Sequence, residues 1–344
     1  MDATMKAVVC AEPYSLQIVE RPAPERGVGE VLVRVRRVGL CGTDYHIFEG
    51  RHPYLVYPRV MGHELAGEVE AAPANSAFRP GQVVAINPYL ACGTCIACRK
   101  GKPNACVHIR VLGVHADGGM CELLAVPEKA VVDATGLSLD QAAMLEFLAI
   151  GAHAVARAGL KSRDRVLVVG AGPIGVGVAL FSRLAGAKVT LVDSRPIRLA
   201  RARKHLGFKD TIEAGPDLEA LLAERTDGEM FDAVFDATGS IPAMAQSLSY
   251  VSHGGTLVLV GVALGNLVLA DPEFHKRETT LLASRNALPA DFQRVIAAIR
   301  AGKIPTDALL THSFAATDIP KRLPDLIADA DHVLKAIAIF PPAR

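Results

Sequence analysis

Along the first 150 residues, apolar positions come in short runs broken by Gly and Pro. Val31-Leu32-Val33-Arg34-Val35 and Gln82-Val83-Val84-Ala85-Ile86 have strand length and β-branched content. Their spacing predicts an antiparallel, barrel-like domain. From 151 to 284 the period changes. Arg165 to Val169 reads as a buried strand, Pro173 to Ala185 as a helix, and Lys188 to Val192 as the next strand. A basic helix follows from Pro196, and Phe231 to Asp236 and Thr256 to Gly261 are two further strands. Strand–helix alternation of this kind predicts a parallel sheet with right-handed crossovers. The stretch 285–344 carries a helix near Phe292 to Ala301 and a closing strand, Val333 to Ile339. The fold class is therefore α/β: a first domain over 1–150, a parallel-sheet domain over 151–284, and a return to the first domain over 285–344.

Composition narrows this picture. A chain of 344 residues, 50% of them hydrophobic, has enough apolar content for about two cores. Its formal net charge of +1 and its lack of a basic block give no footing for nucleic-acid binding. Met1 to Cys10 has no apolar stretch of the kind that leads secretion. Ala237 to Ala270 contains no charged residue, but Pro242 and the Gly254-Gly255 pair interrupt it. Its apolar remainder, Thr256 to Gly261, is strand-length, which predicts a buried strand and not a membrane span. Cys10, Cys41 and Cys121 lie far apart, as expected of a cytoplasmic chain without a disulfide framework.

The other four of the seven cysteines, Cys92, Cys95, Cys98 and Cys106, are spaced C-x2-C-x2-C-x7-C. Thiolates bind Zn2+ tetrahedrally, and close pairs let one loop supply several ligands. A lobe over about residues 88–110 is thus expected to hold a structural zinc closed to substrate, with Arg99, Lys100 and Lys102 offsetting thiolate charge.

Gly170-Ala171-Gly172-Pro173-Ile174-Gly175 is a G-x-G-x-x-G that follows a predicted strand and opens a predicted helix. Gly170 permits the tight turn, Gly172 lets backbone approach a pyrophosphate, and Gly175 allows close helix–strand contact. The helix start offers free N–H groups to the phosphates. Asp193 ends the next strand, eighteen residues after Gly175. A carboxylate there accepts from both ribose hydroxyls and repels a 2′-phosphate, which favours NAD. Arg195 and Arg198 follow, and an arginine here can instead meet a 2′-phosphate.

Two further motifs stand upstream: Cys41-Gly42-Thr43-Asp44-Tyr45-His46 and Gly62-His63-Glu64. Together with the cysteine lobe and the glycine fingerprint, in that order, they make the chain resemble the zinc-containing medium-chain dehydrogenase/reductase family over essentially its whole length. The resemblance is nearest to the sorbitol, threonine and sugar-acid dehydrogenase branch. It implies a GroES-like β-barrel-type catalytic domain and a Rossmann domain. It implies two zinc ions per chain, with Cys41 and His63 binding the catalytic one. The third ligand is Glu146, where polyol relatives carry Glu, or alternatively Glu64, which in relatives lies near the metal and can enter its coordination. Zinc would ease loss of the substrate's hydroxyl proton. Thr43 would receive that proton and pass it through the cofactor ribose to His46, whose pKa suits exchange with solvent. Thr238 and Val260 join the fingerprint residues as cofactor contacts.

The resemblance further implies a hydride transfer from a secondary alcohol of a sugar acid or polyol to NAD. Arg285 is the candidate carboxylate anchor and His115 an added donor. A homodimer or homotetramer is the family expectation, with the apolar runs of Thr256 to Ala270 at the pairing sheet edge. Three other readings stand beside this one: action on a neutral polyol or threonine-like substrate, a zinc-free reductase of the same superfamily, and a non-catalytic cofactor-binding protein.

Overall fold

Two units, each with its own core, make up the chain: Met1–Glu146 with Leu288–Gly302 and Leu309–Arg344, and Phe147–Ala287 with Lys303–Ala308. The computed structural model describes residues 4–53 and 55–342, so the first three residues of the Met1–Cys10 segment lie outside it. The first stretch of unit one runs β1 (Thr4–Glu12), β2 (Ser15–Pro22), β3 (Glu30–Leu40), α1 (Gly42–Phe48), β4 (Arg59–Val60), β5 (Glu64–Ala71), β6 (Val83–Ile86), β7 (Tyr89–Leu90), α2 (Ile96–Arg99), β8 (Arg110–Val111), β9 (Leu123–Pro127), β10 (Val131–Asp133) and α3 (Leu139–Ala143). Helix α4 (Leu145–Ala158) starts in unit one and continues in unit two. Unit two then runs β11 (Arg165–Val169), α5 (Pro173–Leu184), β12 (Lys188–Asp193), α6 (Pro196–Leu206), β13 (Thr211–Glu213), α7 (Leu218–Arg225), β14 (Phe231–Asp236), α8 (Ile241–Gln246), β15 (Val251–Leu259), α9 (Asp271–Lys276) and β16 (Thr280–Ala283). The returning stretch holds α10 (Pro289–Arg300), α11 (Thr306–Leu309), β17 (Leu310–Ala315), α12 (Ile319–Ala328) and β18 (Lys335–Ile339).

In unit one the main sheet has the order β10-β6-β5-β3-β18-β17, with β9 also pairing β3. Strand β3 is its axis. Val31, Val33 and Val35 alternate inward into the core with polar or half-buried neighbours between them. Strict alternation would then bury Arg37. The register against β5 shifts between Val35 and Arg37, so Arg36 and Arg37 both stay at the edge and Val38 returns to the core. Strand β3 pairs antiparallel with β5 and β18, setting Gly39 opposite Glu64 and Leu40 opposite Ala336. Three strands thus deliver side chains to one level. Gly39 is required there, because a Cβ on it would stand 2.1 Å from Glu64 Oε2.

Unit two is a six-stranded sheet of order β13-β12-β11-β14-β15-β16, parallel throughout. The order reverses between β11 and β14, the crevice where open α/β sheets bind ligands. Its strands read as continuous apolar runs because both faces are covered; Val166, Leu167 and Val168 are fully buried. Proline at the first position starts both α5 and α6, where its missing N–H costs nothing, and Gly207 ends α6 in the left-handed region.

Two details differ from the sequence reading. The strand expected over Thr256 to Gly261 is β15, which begins at Val251 and ends at Leu259. The chain leaves the sheet there, and the Val260 and Gly261 N–H groups both turn to the Asp236 carbonyl. The apolar run after Gly265 forms no strand, and the sheet edge is β16. Among the described residues, no helix is long and apolar enough to cross a membrane.

Candidate active site

Helix α1 starts at Cys41 because of Asp44. The Asp44 carboxylate accepts the Cys41 N–H at 2.9 Å, closing a capping box that points the thiol off the end of β3. Thr43 Oγ1 lies 3.9 Å from Cys41 Sγ. His46 sits three residues further along the helix, on the same side as Thr43, and is exposed. Partial desolvation and then the Arg51 charge lower its pKa.

His63 precedes β5 and is buried, its Nδ1 4.0 Å from Asp44 Oδ1. Neither atom has another partner. The ligand atoms of Cys41, His63 and Glu64 all lie within 4.8 Å of one another. Burial disfavours a positive charge on His63, yet the Cys41 thiol and the Asp44 carboxylate outweigh it and raise the imidazole well above its ordinary pKa.

The two candidate third ligands are in different states. Both oxygens of Glu64 are bonded by Lys335 Nζ, at 2.7 and 2.6 Å, and that ammonium also reaches the Leu40 carbonyl at 3.3 Å. Burial alone would strip the proton from Lys335; the Glu64 carboxylate more than offsets this and keeps it charged. Glu146, in the first turn of α4, stands outside the 4.8 Å set. Its Oε1 accepts the Tyr89 hydroxyl, and its buried Oε2 has no partner. An unsatisfied buried carboxylate oxygen costs about 1–3 kcal/mol or more. Cys41, His63 and Glu64 bring a thiol, an imidazole and a carboxylate together, a donor set of the kind zinc takes, and Glu146 offers a further buried oxygen outside that set.

In the cysteine lobe, Cys95 Sγ lies 3.5 Å from Cys98 Sγ and 3.8 Å from Cys106 Sγ, and Cys106 Sγ lies 3.5 Å from Cys92 Sγ. Four sulfurs each ~2.3 Å from one tetrahedral centre would stand about 3.8 Å apart. The spacing fits a zinc ion and excludes disulfides. Hydrogen bonds from the Thr94 and Cys95 backbone pull the Cys92 thiol down to about 5, while desolvation and then the Cys95 thiol push Cys98 up to about 12.

In unit two the glycine turn is a cradle that side chains would fill. Gly170 has φ +101°, and a Cβ on Gly175 would stand 1.7 Å from the Gly170 carbonyl oxygen. Helix α5 begins at Gly172 and Pro173 without a side-chain cap, so its first N–H groups are free for phosphate, and Ile174 follows in the first turn. Asp193 accepts the Ala171 N–H at 2.7 Å and the Arg195 N–H at 2.8 Å. Arg198 Nη1 stands 3.8 Å from Asp193 Oδ2, close to Gly172. Thr238 caps the end of β14 by donating its hydroxyl to Asp236 at 2.6 Å, and Val260 is buried beside the same turn.

The Alcohol dehydrogenase GroES-like domain family matches residues 27–136 and the Zinc-binding dehydrogenase family matches residues 173–301. L-galactonate-5-dehydrogenase of Escherichia coli K12 is 40% identical over 98% of this chain and 100% of its own length. The chain belongs to the zinc-type alcohol dehydrogenase family. A solved Escherichia coli CFT073 alcohol dehydrogenase, RspB, in complex with NADH, superimposes on this dehydrogenase with a TM-score of 0.92 at 31% identity, covering 98% of this chain and 99% of that one. The structure of L-idonate 5-dehydrogenase from Escherichia coli K-12 gives a TM-score of 0.90 at 26% identity over 99% of each chain.

The two substrate candidates of the dehydrogenase lie in different units. Arg285 is exposed just past β16 in unit two, and His115 is half-buried in unit one, where its Nδ1 accepts the Val111 N–H at 3.1 Å. Cys10 and Cys121 are buried free thiols, as small apolar residues would be. Three residues of the metal pocket went unassigned in the sequence. Asp44 stood inside a motif without a role. Lys335 opens an apolar strand, where a lysine signals a buried partner. Tyr89 gave no signal at all.

Proposed function

We propose that this chain oxidises a secondary hydroxyl of a sugar acid or related polyol with NAD, using one catalytic zinc held by Cys41, His63 and Glu146 and one structural zinc held by Cys92, Cys95, Cys98 and Cys106. The observation that carries the metal reading is the convergence of the Cys41, His63 and Glu64 ligand atoms within 4.8 Å of one another, beside the buried, unpartnered Oε2 of Glu146. When bound, zinc acidifies the substrate hydroxyl and NAD accepts the hydride.

The chain's own residues handle the proton. Thr43 Oγ1 accepts it from the substrate hydroxyl and His46 delivers it to water. The lowered pKa of His46 leaves its imidazole neutral near pH 7 and ready to accept. Glu64, neutralised by Lys335, supplies no free oxygen, so we assign it to the surroundings of the metal. In unit two, Gly170, Gly172 and the free start of α5 receive the pyrophosphate. Asp193 faces the adenosine ribose, and Arg198 beside it moderates the repulsion of a 2′-phosphate. NAD is therefore preferred over NADP, with the margin set by that pair.

The named activity of the L-galactonate and L-idonate relatives supports an aldonate substrate. We assign its carboxylate to Arg285. Exposed Val262, Leu264 and Val268, between β15 and α9, support a homodimer or homotetramer, and the cytoplasm is the compartment that suits seven free cysteines. The test is NADH formation across aldonates, neutral polyols and threonine, with and without a zinc chelator. Chelator-sensitive turnover of aldonates is expected. Arg285→Ala should raise KM for an aldonate far more than for a neutral polyol; equal effects would remove Arg285 as the anchor.

A further inference from the structure

Three carboxylates are buried in the metal pocket: Asp44, Glu64 and Glu146. Asp44 is committed to the Cys41 N–H and faces His63. Glu64 gives both oxygens to Lys335. Asp44 Oδ1 and Glu146 Oε2 are both buried without a hydrogen-bond partner, but Asp44 Oδ1 stands 4.0 Å from His63 Nδ1, and the other oxygen of Glu146 is taken by the Tyr89 hydroxyl. A carboxylate with two free oxygens can chelate a cation through both. An oxygen that already accepts a hydrogen bond is a weaker donor to the cation, which favours binding through the other oxygen and blocks fewer coordination positions. A catalytic zinc site needs one position left for substrate.

Tyr89 is placed for this task by local structure. Its own N–H is held by Asn87 Oδ1 at 3.1 Å, and it pairs with Val111 in the β7–β8 ribbon. The ring is buried, so its hydroxyl requires a partner, and Glu146 is that partner. The phenol donates and the carboxylate oxygen accepts.

We propose that Tyr89 is a positioning residue that occupies Oε1 of Glu146 and so favours one-oxygen binding of this ligand through Oε2, keeping a coordination position open. This rests on the assignment of Cys41, His63 and Glu146 to a catalytic metal. Groups that orient a metal ligand typically change metal affinity by about 10–100-fold when removed.

The test compares the full-length wild type with Tyr89→Phe, each carrying zinc and then reloaded with Co2+. Metal release to a chromogenic chelator should show two phases per chain. Tyr89→Phe should change the rate of one phase on the order of 10–100-fold and leave the cysteine-lobe phase unchanged. Its Co2+ visible bands should weaken, as expected when Glu146 binds through both oxygens and raises the coordination number. Tyr89→His keeps a ring donor and should release metal within a few-fold of wild type; release at the rate of Tyr89→Phe overturns the claim that the donated hydrogen bond matters. A wild type with two ions and a Tyr89→Phe variant matching it in both readings overturns the role of Tyr89 alone. A wild type with a single ion, or a Cys41→Ser variant that still binds two, overturns the metal assignment and this proposal with it.

Discussion

The cysteine lobe and the buried pocket of unit one both bring metal-binding side chains together, by opposite plans. The lobe draws its four thiols from fifteen consecutive residues, with Cys92 exposed and backbone N–H groups supporting the sulfurs. The pocket gathers Cys41 from the end of β3, His63 from the start of β5, Glu146 from α4 and Lys335 from β18, nearly all of them buried. A local cluster needs little of the fold and stays near water, where its charges are screened. A distributed one needs the whole sheet, and low dielectric makes each of its charges count for more. Closed structural chemistry suits the first plan, and an open reactive position suits the second.

The largest effect should come from Cys41→Ser. It is expected to lower kcat on the order of 10³-fold or more, while metal analysis still finds one zinc per chain in the lobe. If both ions leave, the two clusters are not independent. Next is Lys335→Met, which leaves a buried Glu64 carboxylate unpaired. Denaturant unfolding should show a loss of about 3–5 kcal/mol, most of it restored in the double variant with Glu64→Gln. A loss below 1 kcal/mol would mean that water reaches this pair.

His46→Gln should lower kcat about 100-fold at pH 7, and less at pH 9, where hydroxide can take the proton. Because the pKa of His46 is lowered, its neutral, accepting form predominates above a value below 6.5. The His46-dependent part of the oxidation rate should therefore fall only as pH drops beneath 6.5. The smallest effect on turnover should follow Cys98→Ser. Its Tm should drop by roughly 10 °C as the lobe loses zinc, while kcat per folded chain changes little.

What the sequence conveyed follows the same division. The lobe was legible because its ligands are neighbours and their spacing encodes the geometry. The β11–α5–β12 turn was legible because glycine there answers a steric demand that no other residue meets: Gly175 has a carbonyl oxygen where its Cβ would be. The pairing of Glu64 with Lys335 was not legible. It depends on β18 entering the sheet beside β3, a pairing between residues 271 positions apart. Tyr89 was hidden for another reason. A tyrosine in a short strand has an apolar role available everywhere, and only the three-dimensional position of Glu146 reveals what its hydroxyl does. The end of β15 was misjudged because Val260 and Gly261 are as apolar as the strand before them, and only their hydrogen bonds to Asp236 show that the ladder has stopped.

The distance in sequence between Glu64 and Lys335 has a consequence in time. A ribosome adding about 5–20 residues per second makes Lys335 roughly 15–50 seconds after Glu64, given their separation of 271 residues. Through that interval the carboxylate lacks the ammonium that bonds both its oxygens, so burying it in charged form is costly until β18 is made. The buried ion pair of this pocket can therefore form only after the returning strand has been made.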